Sequence, residues 1–220
     1  MTQLKTELDH IVVAARSLDE GREWARHVLG VEPADGGKHD GLATHNVLVK
    51  FDAKRYLEII AIDPQAGAPS RPRWFGLDTH EVRSSIAHEP RLVAWVARCS
   101  GAANAIEHLA ATPDYDGRVV LPASRNDFRW RFAFTVDGRR ISGGVTPHLI
   151  QWDCKAHPCD RLIDQSVSLN SLTLGAVVPE RVAATLEGLA FSDAAVLIGQ
   201  SSSAQLVATL QTPSGLVVLD

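Results

Sequence analysis

The stretch LDHIVVA (residues 8–14), answered downstream by YLEIIAID (56–63), decides how this chain folds. Both runs are rich in β-branched and large apolar side chains, the composition of buried strands. Between them, Ser17-Leu18-Asp19-Glu20 matches a helix start with Ser17 as N-cap and Glu20 at N3. Leu18, Trp24, Val28 and Leu29 then recur at close to helical spacing, and Gly30 follows as a C-cap. After the turn-rich DGGKHDG (35–41) come HNVLVKF (45–51) and, past the charged Asp52–Arg55 turn, YLEIIAID as the two strands of a hairpin. The order is therefore β, α, then a short strand and a hairpin.

That order returns along the chain. RLVAWVA (91–97) reads as a strand, AANAIEHLAA (102–111) as a helix, and RVVLP, FRWRFAF and PHLIQWD as strands separated by turns. A third copy starts at SLNSLTLGAVV (168–178), opens its helix at Pro179, and ends in AAVLIG, SAQLVATLQ and GLVVLD. The predicted class is α+β, with three βαβββ modules: residues 1–63, 91–160 and 161–220. Residues 64–90, which carry Pro64, Pro69, Pro72 and Pro90, form a connecting loop with one short helix over 75–86. Each module alone exposes one face of a small mixed sheet, so modules must pair. Paired and curled sheets make half-barrel cups, the natural place for a ligand.

Hydrophobic residues make up 45% and charged residues 22% of 220, an ordinary globular balance that argues against extended disorder. A net charge of −4 offers no basic field for nucleic acid or anionic lipid, so a small molecule is the expected partner. No nucleotide-cradling glycine motif follows a strand, and no run reaches the roughly 18 apolar residues of a membrane span. MTQLKTELDHIVVAA lacks the order of a secretion signal, and Cys99, Cys154 and Cys159 are too few and odd in number for a disulfide scaffold. Both point to a cytoplasmic protein with free thiols. Cys154, His157 and Cys159 have no second ligand pair in sequence and read as a loop.

Strand parity picks out the chemistry. His10, Val12 and Ala14 share one face of the first strand, and Tyr56, Glu58, Ile60 and Ile62 one face of the fourth. If those strands are neighbours, His10 and Glu58 meet as one imidazole and one carboxylate, a donor pair suited to zinc, nickel, iron or manganese. The plainer alternative pairs Glu58 with Lys50 or Arg55. Arg129 and Arg131 lie two apart on one strand, where paired guanidinium groups could clamp an organic anion. The plainer alternative here is a solvated outer face with Trp130 in the core.

LDHIVVA followed by YLEIIAID resembles the first module of the vicinal oxygen chelate superfamily. THNVLVKF, RWRFAF and PHLIQWD add a closer similarity to its glyoxalase-like domain family over about residues 7–160. The resemblance implies paired modules and, in metal-dependent members, a ligand histidine on the first strand and a ligand glutamate on the fourth, the places of His10 and Glu58. In the second module Val93, Ala94 and Trp95 stand where a ligand would lie, and Gln151 replaces the acidic residue, offering a carbonyl oxygen instead. The place of His45 and Asn46 in the THN segment implies a role at the cup, His45 as general base or third ligand and Asn46 on the substrate. Ser171 and Val217-Val218 make the third module structural. The expected function is that of a metal-dependent lyase, isomerase or dioxygenase acting on a small oxygen-rich molecule. The alternatives are a metal-free binding or sequestering protein, and a structural protein whose edge strands a second copy covers in a homodimer.

Overall fold

The computed structural model describes residues 3–69 and 71–220, apart from the side chain of Asp40. Strand β1 (Lys5–Ala14) leads into helix α1 (Leu18–Trp24) at the expected cap, where Ser17 Oγ accepts the Glu20 N–H at 3.2 Å. A π turn (Ala25–Leu29) carries the helix to Gly30, whose left-handed φ of 71° closes it. Strands β2 (Ala34–His39), β3 (Thr44–Lys50) and β4 (Tyr56–Ile62) complete the first module. After helix α2 (His80–Ser85) the second module runs β5 (Arg91–Ser100), α3 (Ala105–Ala110), β6 (Val119–Arg125), β7 (Phe128–Phe134) and β8 (His148–Trp152). The last unit is β9 (Ser168–Ala176), α4 (Pro179–Gly188), β10 (Val196–Gln200), β11 (Gln205–Thr212) and β12 (Gly215–Leu219).

The first two modules share one mixed sheet of eight strands in the order β2-β3-β4-β1-β5-β8-β7-β6. β1 runs parallel to β4, β5 parallel to β8, and the modules join where β1 pairs antiparallel with β5. Because side chains alternate across a strand, this curled sheet buries two separate apolar surfaces. Its convex side carries Ile11, Val13, Ile59 and Trp95 against α1, α3 and the last unit. Its concave side carries Val12, Ile60, Val96, Phe132 and Ile150, which line a cup. The connector enters that cup as well, packing Trp74, Phe75, Val82 and Ile86 into the concave cluster. The single helix expected over 75–86 is divided into a 3₁₀ turn (Trp74–Gly76) and α2, whose first turn Thr79 caps by accepting the Val82 N–H at 3.3 Å.

The last unit departs from expectation in its sheet. Its elements follow βαβββ in chain order, but they form a separate four-stranded sheet ordered β10-β9-β11-β12. In the first two modules the parallel neighbour of the opening strand is the fourth strand; here it is the strand directly after the helix. The reason is that α4 returns the chain beside β9 at once, a direct βαβ crossover, with the Leu172 N–H bonded to Ala195 O at 2.7 Å just before β10. Its apolar face, with Leu172, Leu206, Ala208 and Leu210, joins the convex core of the main sheet. Phe191 lies edge-on to Trp95 at 5.2 Å, and Thr6 exchanges backbone hydrogen bonds of 3.0 Å with Ala190 and Ser192.

Trp95 is fully buried at this junction and its indole N–H donates to Val145 O at 3.2 Å. Trp95→Ala is expected to cost about 3–5 kcal/mol in urea unfolding followed by circular dichroism. A loss below about 1 kcal/mol, ordinary for a surface site, would contradict this packing.

Candidate functional site

The cup's chemistry begins with an irregularity in β1. Leu8 pairs with Ala97 and His10 with Val96, so Asp9 is an extra residue in a β-bulge. The bulge breaks the alternation, and the consecutive side chains of Asp9 and His10 meet, with Asp9 Oδ1 2.7 Å from His10 Nδ1. Asp9 is completely buried and gathers further hydrogen bonds from Trp152 Nε1 (3.1 Å), His157 Nε2 (3.2 Å) and an Arg98 N–H (3.4 Å). Burial pushes its carboxyl up, but the hydrogen bonds from His10 and His157 outweigh that, and the group is held well below the usual carboxylate range. A carboxylate only accepts, so the His10 nitrogen facing Asp9, Nδ1, carries a proton, and Nε2 is the ring nitrogen turned toward the cup.

His10 Nε2 faces Glu58 Oε2 at 3.6 Å, too long for a hydrogen bond. Glu58 is itself buried, and its Oε1 accepts from Asn46 Nδ2 at 2.5 Å. Asn46 Oδ1 in turn accepts from Arg125 at 3.3 Å. The wall of the cup is thus a continuous line, Arg125 to Asn46 to Glu58 to His10 to Asp9, drawn from β6, β3, β4 and β1. Tyr56 stacks on the His10 ring at 4.5 Å. His39 closes the line near Arg125, with Nδ1 3.0 Å from Thr44 Oγ1 and its ring edge-on to Trp74 at 4.8 Å. Burial, then the Arg125 charge, pulls its imidazole down to about 3, so it is neutral at pH 7.

Across the cup the second module is aromatic. Trp130 and Phe132 of β7 and Trp152 of β8 face inward. So does His148, fully buried, stacked on Phe132 at 5.7 Å with the Phe75 ring edge-on to it at 5.1 Å. An inner recess of about 30 Å³ lies among His10, Asn46, Glu58, Phe75, Arg125 and Phe132. It shares His39, Trp74, Trp130 and Phe132 with an outer cavity of about 300 Å³ that Lys38 and Arg71 flank. Larger depressions on the outer surface, of about 480 and 490 Å³, gather no imidazole.

The structure brings His10 and Glu58 together as strand parity predicts, and places Asn46, the residue assigned to the substrate, beside Glu58. The other assignments need correction. His45 is one residue out of phase with Asn46 and faces the helix side, in a crevice with Ser17, Asp19 and Asp63, so it does not reach Glu58. Gln151 also faces outward: its amide holds the end of α3, accepting the Ile106 N–H at 2.9 Å and donating to Ala103 O at 3.0 Å. Arg131 is engaged on the outer face by Glu107 (2.6 Å) and Asp153 (2.7 Å), and Arg129 is exposed there too. The aromatic residues between them occupy the cup, which forces the arginines out. The cation that does enter is Arg125, which pairs across the hairpin with the inward Phe128 and so shares its face. That pairing across the Asn126-Asp127 turn was the available signal for it.

A metal of the kind the resemblance implies would find His10 Nε2 and Glu58 Oε2 at about the separation of two ligands on one ion. The remaining donors are missing from the arrangement. Among the described residues no three His, Cys, Asp or Glu side chains are arranged to hold a metal ion, since Asp9 and His157 bond to each other behind the His10 ring; β5 and β8 offer Val93, Val96 and Ile150 to the cup, and Arg125 adds a positive charge. The residues present do not fit a three- or four-ligand centre. Cys154, Cys159 and Cys99 are free thiols.

A family model described as a glyoxalase-like domain matches residues 8–190. No curated protein matches the chain. Among solved structures, a hypothetical protein from Staphylococcus aureus superposes with a TM-score of 0.59 at 13% identity, covering 91% of this chain and 88% of that one. A methylmalonyl-CoA epimerase from Mycobacterium tuberculosis gives a TM-score of 0.40 at 15% identity, over 66% of this chain and 85% of the epimerase. A mutant 4-hydroxymandelate synthase from Streptomyces coelicolor gives 0.46 at 12% identity, over 98% of this chain and 63% of the synthase.

Asp9→Asn would leave the donors around it facing a neutral amide. The substitution is expected to cost about 3–5 kcal/mol of stability at pH 7. Because the folded-state carboxyl titrates below its unfolded value near 3.9, the wild-type advantage is present above about pH 4 and is lost as pH falls further. Chemical denaturation of both proteins from pH 7 to pH 3 checks this; a gap that stays constant across the range would refute it.

Proposed function

Because the chain belongs to the glyoxalase-like domain family, we propose that its cup binds a small organic anion and that His10 and Glu58 exchange a proton with it. The observation that carries this reading is the line Arg125–Asn46–Glu58–His10–Asp9 at the inner end of an aromatic cavity. Arg125 bonds only to Asn46 among the described residues, so its other N–H groups are free to meet a ligand oxyanion. Asn46 occupies one oxygen of Glu58, while the other oxygen and His10 Nε2 face the same gap. A lone pair on Nε2 backed by a buried aspartate is the arrangement of a general base: Asp9 orients the ring and stabilises it when it takes up a proton. The apolar body of the ligand occupies the outer cavity, because the recess has room for little more than a water-sized group.

The reaction class this geometry suits is proton removal beside a carbonyl or carboxylate, that is, isomerase or lyase chemistry, with Arg125 holding the developing negative charge. Simple binding without turnover uses the same contacts. Two donors do not make a metal centre, and these proton transfers stand on side chains alone. The three free thiols suit the reducing cytoplasm.

Calorimetric titration with benzoate tests the site. Charge-assisted hydrogen bonds contribute on the order of 1.5–3 kcal/mol, so Arg125→Ala is expected to weaken binding roughly tenfold to a hundredfold. Arg129→Ala, on the outer face, should leave it unchanged. Equal affinity in wild type and Arg125→Ala would overturn the anion site. Binding abolished by EDTA and restored by zinc, nickel, iron or manganese would move the role to a metal at His10 and Glu58.

A further inference from the structure

The second module's half of the cup holds a histidine that the proton-transfer reading leaves unused. His148 Nδ1 lies 3.3 Å from Ala133 O. A carbonyl can only accept, so the proton is on Nδ1 and Nε2 is a bare acceptor. That Nε2 is buried and has no hydrogen-bond partner among the described residues. Burial pushes the imidazole down to about 4, so it stays neutral and does not solve the problem by binding a second proton at pH 7. The Trp74 indole N–H, also buried, likewise lacks a partner among the described residues.

Two rings pack against His148, Phe132 stacked at 5.7 Å and Phe75 edge-on at 5.1 Å, and Phe75 is also edge-on to Phe132 at 5.8 Å. Phe75 sits at φ 58°, a left-handed conformation that a bulky residue rarely adopts, and Gly76 follows at φ 71°. The segment is braced on either side, by Arg73 on Asp78 at 2.7 Å and by the Thr79 cap of α2. Two orphaned polar atoms and a strained backbone therefore converge on one aromatic plug. Buried polar atoms without partners and strained dihedrals both cost free energy, and both persist where function needs them.

We propose that the ring of Phe75 marks the seat of a ligand ring carrying a hydroxyl, and that His148 Nε2 accepts the hydroxyl proton once Phe75 swings aside. This rests on the cup being the ligand site. Phe75 and Arg125 line the same inner recess and His148 packs on the Phe75 ring, so a ligand held at Arg125 that displaces this ring would turn its far end toward His148. The recess of about 30 Å³ is too small for a ring, and the volume of the Phe75 side chain is what a ring would use. The ligand class is accordingly a hydroxylated aromatic acid, with His148 as a specificity-determining acceptor.

The test compares 4-hydroxybenzoate with benzoate by calorimetry on the full chain. Wild type is expected to bind the hydroxy acid about tenfold more tightly, the effect of one hydrogen bond to an otherwise unpaired acceptor. In His148→Phe, which keeps a flat apolar ring against Phe132, that preference should vanish while benzoate binding persists; His148→Gln, which retains an acceptor, should restore part of it. A purely structural histidine would lower both affinities together and leave the ratio intact, and that result would overturn the proposal. Phe75→Ala, or Phe75→Leu if the alanine variant is unstable, should tighten both acids severalfold because less ring must be displaced; unchanged affinities in a folded variant would refute the displacement. Benzoate binding that depends on Arg125 with no hydroxyl preference in wild type would overturn this inference and leave the anion site standing. Binding of neither acid at millimolar concentration would overturn both.

Discussion

One buried carboxylate organises the centre of the molecule. Asp9 lies on the seam between the two modules, and its hydrogen bonds run to β1 itself, to β5 through Arg98, to β8 through Trp152, and to the joint after β8 through His157. An ionised group with no water is tolerable only when its lone pairs are filled. That requirement ties four segments of the chain to one point. The same requirement keeps a proton on His10 Nδ1 and leaves Nε2 toward the cup. Stability and chemistry thus share one residue, and the β-bulge that turns Asp9 inward is where the sheet yields regularity to it.

From that point the cup divides by chemistry. The first module supplies imidazole, amide and carboxylate; the second supplies aromatic rings, with Arg125 reaching over from the β6–β7 hairpin. Pseudo-symmetric modules can therefore build an asymmetric site. The connector adds to the asymmetry, since Trp74 and Phe75 pack into the aromatic half and Trp74 also lines the outer cavity.

The last unit has no part in the cup. It lies against the convex face, packing the half-buried Phe191 on the buried Trp95, and so replaces solvent over the middle of the eight-stranded sheet. Its other face carries Leu197, Leu216 and Val218, which are exposed. The family model reaches residue 190, just past α4 of this unit.

Much of this was legible before folding. Because caps, turns and apolar spacing act over a few residues, local patterns determined the strands and helices of both paired modules apart from β2, whose glycine-rich ADGGKH reads as a turn and becomes a strand only by pairing with β3. Parity along β1 and β4 put His10 and Glu58 on one face, and that is also a local property. What the tertiary structure alone decided was which face of each strand becomes the cup. His45, Gln151, Arg129 and Arg131 sit on strands that were found correctly, but they point outward because Asn46, Ile150, Trp130 and Phe132 point in. Strand alternation fixes relative sides, whereas curvature and the partner module choose which side is concave. Asp9 escaped the parity argument since a bulge, visible only in the pairing with β5, put it beside His10. Arg125, His148 and the Phe75 plug belong to the same class: each reaches the site through contacts between segments far apart in the chain, and those contacts exist only once the two modules have closed on one another.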